Sequence, residues 1–176
     1  MTEYIDVLIS NEDLHKRIKE VAEEINRDYA GKEIVLIGAL KGAVMFMVDL
    51  SKELTCDVKF DFIDVSSYHG STESSGNVVL NKDIEHDITD AHVLLVEDIV
   101  DTGHSLVAIR NTLEKKNPAS LKVCALLNKQ ERREVENLVV DYLGFEIPNK
   151  FVVGYGLDYD QRLRNLDYIG IMRFKD

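Results

Sequence analysis

Apolar residues recur along this chain with two different periods. Leu14, Ile18, Val21, Ala22, Ile25 and Tyr29 fall on one helical face between Ser10 and Gly31, which predicts an amphipathic helix with an N-terminal cap and a glycine stop. Ile34-Val35-Leu36-Ile37, Val93-Leu94-Leu95-Val96 and the stretch from Leu121 to Leu127 are short apolar runs instead. Such runs suit strands buried on both faces of a parallel sheet. A helix carrying Val44, Met45, Met47, Val48 and Leu50 is expected after the first run, and one from about Gly103 to Lys116 after the second, with Pro118 marking its exit. Asp57 to Val65 alternates in part, as a strand near a sheet edge does. Val78 to Leu80, Val139 to Tyr142, Phe151 to Val153 and Tyr168 to Met172 are further strand candidates. Strands alternating with helices predict an α/β fold, one domain over residues 1–176, with a mostly parallel central sheet flanked by helices on both faces.

Composition narrows the classes. A chain of 176 residues with 45% hydrophobic content can bury a full core. The net charge of −11 argues against a nucleic-acid footprint, which calls for clustered Lys and Arg. The start is acidic where a signal peptide is basic and then apolar, and no apolar stretch is long enough to span a bilayer, so no membrane role and a cytoplasmic location are expected. Cys124 sits inside an apolar run, and with Cys56 the only other cysteine, reduced thiols are expected.

The second apolar run empties into Glu97-Asp98-Ile99-Val100-Asp101-Thr102-Gly103-His104-Ser105. Ligands of parallel sheets bind just beyond the carboxyl ends of the strands, so Glu97, Asp98 and Asp101 are expected there. Backbone N–H groups opening the next helix suit a phosphate, and paired carboxylates suit vicinal hydroxyls or a metal. The segment therefore asks for a sugar phosphate. Ile37 ends ahead of Leu40-Lys41-Gly42 and Leu127 ahead of Lys129, so three strand ends should deliver their chemistry to one sheet edge. Asp101-Thr102-Gly103 also fits the aspartic-protease tripeptide, but that belongs to an all-β fold holding two copies. Phosphoaspartate enzymes space their aspartates two apart, whereas Asp98 and Asp101 are three apart, and no G-x-x-x-x-G-K-[ST] loop exists.

The aliphatic run with Glu97-Asp98-x-x-Asp101-Thr102-Gly103-x-Ser105 is similar to the phosphoribosyl-diphosphate (PRPP) motif of type I phosphoribosyltransferases. Lys129, the stretch from Gly144 to Tyr159, and Arg164-Asn165-Leu166 resemble the C-terminal half of the hypoxanthine(-guanine) members, and the resemblance runs from about Ile34 to the last residue. It implies the type I fold, with a small hood and a flexible flap, and magnesium-dependent purine salvage. Substrates would be PRPP with hypoxanthine or guanine, and products IMP or GMP with pyrophosphate, in a homodimer or homotetramer.

Carried over by position, Glu97 and Asp98 would take the ribose hydroxyls, with or without a bridging metal. Asp101, Thr102, Gly103, His104 and Ser105 would cradle the 5′-phosphate, and Asp101 would exchange a proton with the purine. Leu40, Lys41, Gly42 and Arg164 would meet pyrophosphate, in a loop whose peptide before the lysine is often cis. Lys129 would donate to the purine 6-oxo group, Phe151 would stack on the base, the Val152 backbone would read its Watson–Crick edge, and Asp158 would hold Mg2+ beside the purine. Ser67-Tyr68 matches the serine-tyrosine pair of the flap. An ammonium suits an oxo acceptor better than an exocyclic amine, so Lys129 favours hypoxanthine or guanine over adenine. His104 stands where some members carry lysine, and backbone donors would carry that contact. A PRPP-sensing regulator would also explain the loop, but it leaves Lys129, Phe151 and Asp158 unemployed and should bring a basic face.

Overall fold

The computed structural model describes residues 2–67 and 78–175. Its core is a six-stranded sheet ordered β4-β3-β2-β5-β6-β7. The strands are β2 Glu33–Ala39, β3 Asp57–Ser67, β4 Val78–Lys82, β5 His92–Val100, β6 Ser120–Asn128 and β7 Tyr142–Glu146. All neighbours pair in parallel except β3 with β4. The apolar runs behave as expected: Ile34, Leu36, Ile37, Val93 to Val96 and Val123 to Leu127 are completely buried. Burial on both faces is what removes the polar alternation from these strands.

Among the described residues three α-helices cover the sheet: α1 Asn11–Asp28, α2 Val44–Glu53 and α3 His104–Glu114. Ser10 caps α1, accepting the Asp13 N–H at 3.1 Å, and Leu14, Ile18, Val21, Ala22 and Ile25 form the buried stripe. The crossover through α2 steps from β2 to β3, and the one through α3 steps the other way from β5 to β6. Right-handed crossovers stepping in opposite directions put α2 and α3 on opposite faces. The order therefore switches between β2 and β5, where open α/β sheets bind their ligands.

A second, three-stranded antiparallel sheet joins β1 Thr2–Ile9, β9 Ile169–Lys175 and β8 Val152–Val153. It corresponds to the expected hood.

Two expectations need correction, and one strand has no counterpart in the sequence reading. Strand β1 was not read from sequence, because Thr2, Glu3 and Asp6 dilute its apolar signal and its partner β9 lies at the other end of the chain. The strand expected at Val139 to Tyr142 forms instead at Tyr142–Glu146. Asp141 ends that approach, bonding Val123 with both its N–H (2.9 Å) and its carboxylate (2.8 Å). Finally, β5 runs on to Val100, so Glu97 and Asp98 lie within the strand, and only Asp101 lies beyond it. The flap residue Tyr68 falls outside the described residues, and Ser67 is the last residue of β3.

Asp61 fastens β3 to the turn after β4. It is buried, and its carboxylate accepts the N–H groups of Phe62 (2.7 Å), Glu85 (2.8 Å) and His86 (2.8 Å), with His86 Nδ1 at 2.9 Å. Burial alone would raise this carboxyl, but the His86 amide, the His86 ring and the other two amides outweigh it and hold it below the ordinary value. Such a group stabilises the fold above its unfolded pKa of about 4 and loses that contribution as pH falls through the folded value. Asp61→Ala should therefore cost about 2–4 kcal/mol in urea unfolding at neutral pH. The gap to the unsubstituted protein should narrow when the titration is repeated at about pH 3.

Candidate active site

The β2, β5 and β6 ends build two adjoining cavities of about 280 and 320 Å³. The first is lined by Leu40 and Gly42 after β2, by Glu97 and Asp98 from β5, and by Asp101, Thr102, Gly103 and Ser105 between β5 and the first turn of α3. The second holds Lys129, Arg132, Phe151, Val152, Leu157 and Asp158. Ile99 and Asp101 line both, so the lobes meet at the carboxylate that leaves the strand.

Gly103, at φ +97°, caps α3 with no side-chain hydrogen bond. First-turn amides lack intrahelical acceptors, so this turn offers unpaired N–H groups at the positive end of a helix. Their use is anion binding. The His104 ring points elsewhere, its Nε2 lying 2.8 Å from Glu134 Oε2, and His104 lines neither cavity.

Glu97 is buried and Asp98 half-buried, and neither makes an ion pair among the described residues. Burial first, then the neighbouring Asp98 charge, pushes Glu97 well above the usual carboxylate range. Burial also pushes Asp98 up to about 6, against the Ile99 N–H that its Oδ1 accepts at 2.7 Å. Asp98 lies against bare backbone, since a Cβ on Gly42 would fall 1.6 Å from Asp98 Oδ2. The Leu40–Lys41 peptide that begins this loop is cis.

Lys129 is buried at the exit of β6, where its N–H donates to Val100 O at 3.0 Å. Its Nζ lies 3.6 Å from Asp101 Oδ2, and Arg132 Nε lies 3.0 Å from Oδ1. Phe151, half exposed at 53%, presents its ring at the cavity and meets Tyr159 edge-on at 5.9 Å between centroids. The turn after β8 brings Asp158 and Arg164 together, with Oδ1 3.0 Å from Nη2, while Asp158 Oδ2 accepts the Gln161 N–H at 2.8 Å. Gln161 Oε1 accepts from Arg164 Nη2 (3.2 Å) and Lys41 Nζ (3.4 Å), which joins the two cations expected at pyrophosphate although neither lines a cavity. Arg132 and Gln161 were missed from sequence. Arg132 had one usable signal, its spacing three residues past Lys129, and Gln161 had none.

Residues 8–160 match the family model described as phosphoribosyl transferase domain, and the chain belongs to that family. It is 47% identical over 170 residues to the hypoxanthine phosphoribosyltransferase of Haemophilus influenzae, covering 95% of this chain and 94% of the relative. A solved hypoxanthine-guanine phosphoribosyltransferase from Bacillus anthracis superposes with a TM-score of 0.91 at 44% identity, covering 98% of this chain and 100% of that one. The Trypanosoma cruzi hypoxanthine phosphoribosyltransferase, solved in complex with the product IMP, gives a TM-score of 0.88 at 44% identity, covering 95% and 93%. Within the family the chain stands with the hypoxanthine(-guanine) phosphoribosyltransferases, and its fold is theirs.

The hood turn rests directly on the loop after β2. Gly156 has φ +100°, and a Cβ there would fall 2.0 Å from the Gly42 carbonyl oxygen, whereas Gly31, at φ +73°, has nothing within 4 Å. Gly31→Ala should cost about 1 kcal/mol, the left-handed backbone penalty alone. Gly156→Ala should cost at least about 1 kcal/mol more, because backbone must move. Equal costs in parallel urea titrations would mean that the hood does not rest on this loop.

Proposed function

We propose that the chain, acting as one domain, transfers the 5-phosphoribosyl group from PRPP to hypoxanthine, and to guanine, in a magnesium-dependent purine-salvage reaction that releases IMP or GMP and pyrophosphate. The observation that carries this reading is the pair of cavities sharing Asp101: an anion-binding turn and buried carboxylates on one side, a buried lysine and an open aromatic ring on the other. A transferase that joins a sugar phosphate to a flat base needs those two lobes in contact.

In this reading the α3 turn binds the 5′-phosphate, and Glu97 and Asp98 grip the ribose hydroxyls. Phe151 stacks on the base and Lys129 donates to its 6-oxo group. The purine nitrogen forms a bond to the anomeric carbon as the bond to pyrophosphate breaks, the electron pair leaving with pyrophosphate. Asp101 takes the proton from the purine imidazole N–H. Lys41 and Arg164 stabilise the departing anion as preorganised cations.

The chain's donors fit magnesium. Glu97 is a buried and Asp98 a half-buried carboxylate, neither in an ion pair among the described residues, and Asp158 lines the second cavity while holding Arg164 and the Gln161 N–H. Among the described residues no three ligating side chains converge on one point, so magnesium, which binds through one or two carboxylates plus substrate oxygens and water, would be held by Glu97 and Asp98 in the first cavity or by Asp158 in the second, with substrate completing the site. When bound, it supplies charge neutralisation at the pyrophosphate oxygens. We place the enzyme in the cytoplasm as a homodimer or homotetramer. Among the described residues no helix is long and apolar enough to cross a membrane.

A spectrophotometric assay with PRPP, magnesium and each purine in turn should show nucleotide formation with hypoxanthine and guanine and little with adenine. Chelation by EDTA should abolish it. Product from no base would overturn the proposal. Asp101→Asn should lower kcat by about two to four orders of magnitude while PRPP binding by calorimetry survives. Near wild-type turnover would remove Asp101 from proton transfer.

A further inference from the structure

Arg132 belongs to none of the motifs that pointed to the site, yet it touches the carboxylate at its centre. We infer that Arg132 is a positioning residue: its guanidinium, 3.0 Å from the buried Oδ1, holds the Asp101 carboxylate in one orientation where the two lobes meet. This rests on the proton-transfer role of Asp101 proposed above.

The local fold delivers Arg132 to that place. After Lys129 the chain makes one 3-10 turn, Gln130–Arg132, with the Arg132 N–H donating to Lys129 O at 3.1 Å. In 3-10 geometry residues three apart eclipse, so Lys129 and Arg132 present their cations to the same side. They flank one carboxylate, at 3.6 Å from Oδ2 and 3.0 Å from Oδ1. Beyond the turn, the Glu134 and Val135 N–H groups donate to Thr102 O at 3.0 and 3.3 Å, and Arg133 donates to Asn128 Oδ1. Arg132 is thus carried by a segment fixed both to β6 and to the phosphate turn.

Oδ1 is the informative atom. It is buried and has no hydrogen bond among the described residues, because the Arg132 N–H stands near it without pointing at it. Charge attraction orients the carboxylate through this buried oxygen, and Oδ2, beside Lys129, is the oxygen left for a base. The duties of the two cations also divide. Lys129 has the purine oxo group as its proposed partner, whereas Arg132 makes no other ion pair among the described residues. When the base arrives and engages Lys129, Arg132 remains to keep the carboxylate in place. It exchanges no proton itself.

The pair is partly exposed, with 47% of the Arg132 side chain and 37% of the Asp101 side chain accessible. Ion pairs in such settings contribute about 0–1 kcal/mol, so Arg132 can be replaced without unfolding the protein. The test is steady-state kinetics on the magnesium-loaded enzyme for Arg132→Met, Arg132→Lys, Asp101→Asn and the double variant. Arg132→Met should lower kcat about 10- to 100-fold, as misplacement of a reacting group does, with KM for PRPP within about threefold. Arg132→Lys should recover part of the loss, and Arg132→Met should cost nothing further in the Asp101→Asn background. Unchanged kcat in Arg132→Met, or the full loss repeated in that background, overturns the inference. An inactive unsubstituted protein, or an Asp101→Asn variant that turns over normally, overturns instead the reading on which it rests.

Discussion

From Ile34 to Gly38 and from His92 to Val96 two strands run side by side in parallel, each feeding a helix on a different face. That pairing is the constraint on which the remainder of the molecule depends. It aligns Ala39 and Leu40 with the level of Glu97 and Asp98, so a backbone loop and two acidic side chains face each other where the sheet order switches. The approach is close enough that only the bare α-carbon of Gly42 fits beside Asp98. The hood turn then rests on the same loop through Gly156, so the smaller sheet takes its position from the larger one.

Those two acidic side chains are held in a condition unfavourable to their charged forms. Burial raises the proton affinity of both Glu97 and Asp98, and at Asp98 the Ile99 N–H and the Arg164 charge offset it only in part. A carboxyl whose pKa is raised on folding favours the folded state below its unfolded pKa and loses that advantage as pH climbs through the folded value, here about 6 for Asp98. At neutral pH the ligand-free protein therefore carries a cost that hydroxyl donors or a bound cation can relieve. Asp61 is the opposite case: it is as deeply buried, but well donated to, and its charge supports the fold.

Much of this was legible in the chain because the signals are local. The unbroken runs at Ile34, Val93 and Leu121, the Ser10 cap, and the acidic segment ending at Ser105 each announce themselves within a dozen residues. Long-range or context-dependent features were not legible. Strand β1 exists because β9 pairs with it across nearly the whole length of the chain. The shift of β7 depends on Asp141 meeting Val123, and the continuation of β5 through Glu97 and Asp98 depends on β6 extending alongside, which places charged residues in a strand where periodicity reads a loop. The turn from Gly154 to Leu163 was equally opaque. Besides Gly154 and Gly156 it bends through positive φ at Tyr155, Asp160, Gln161 and Leu163, and of these four only Asp160 is a residue type enriched in such backbone.

Gln161 shows what that unusual backbone is used for. Its side-chain oxygen accepts from both Lys41 and Arg164, so two like charges are gathered around one neutral dipole, beside the Asp158 carboxylate that pairs with Arg164. On the proposed reading, in which Lys41 and Arg164 take pyrophosphate, an entering anion would exchange with the Gln161 amide that both cations share and with the Asp158 carboxylate on Arg164, so the two cations keep acceptors whether or not the anion is there.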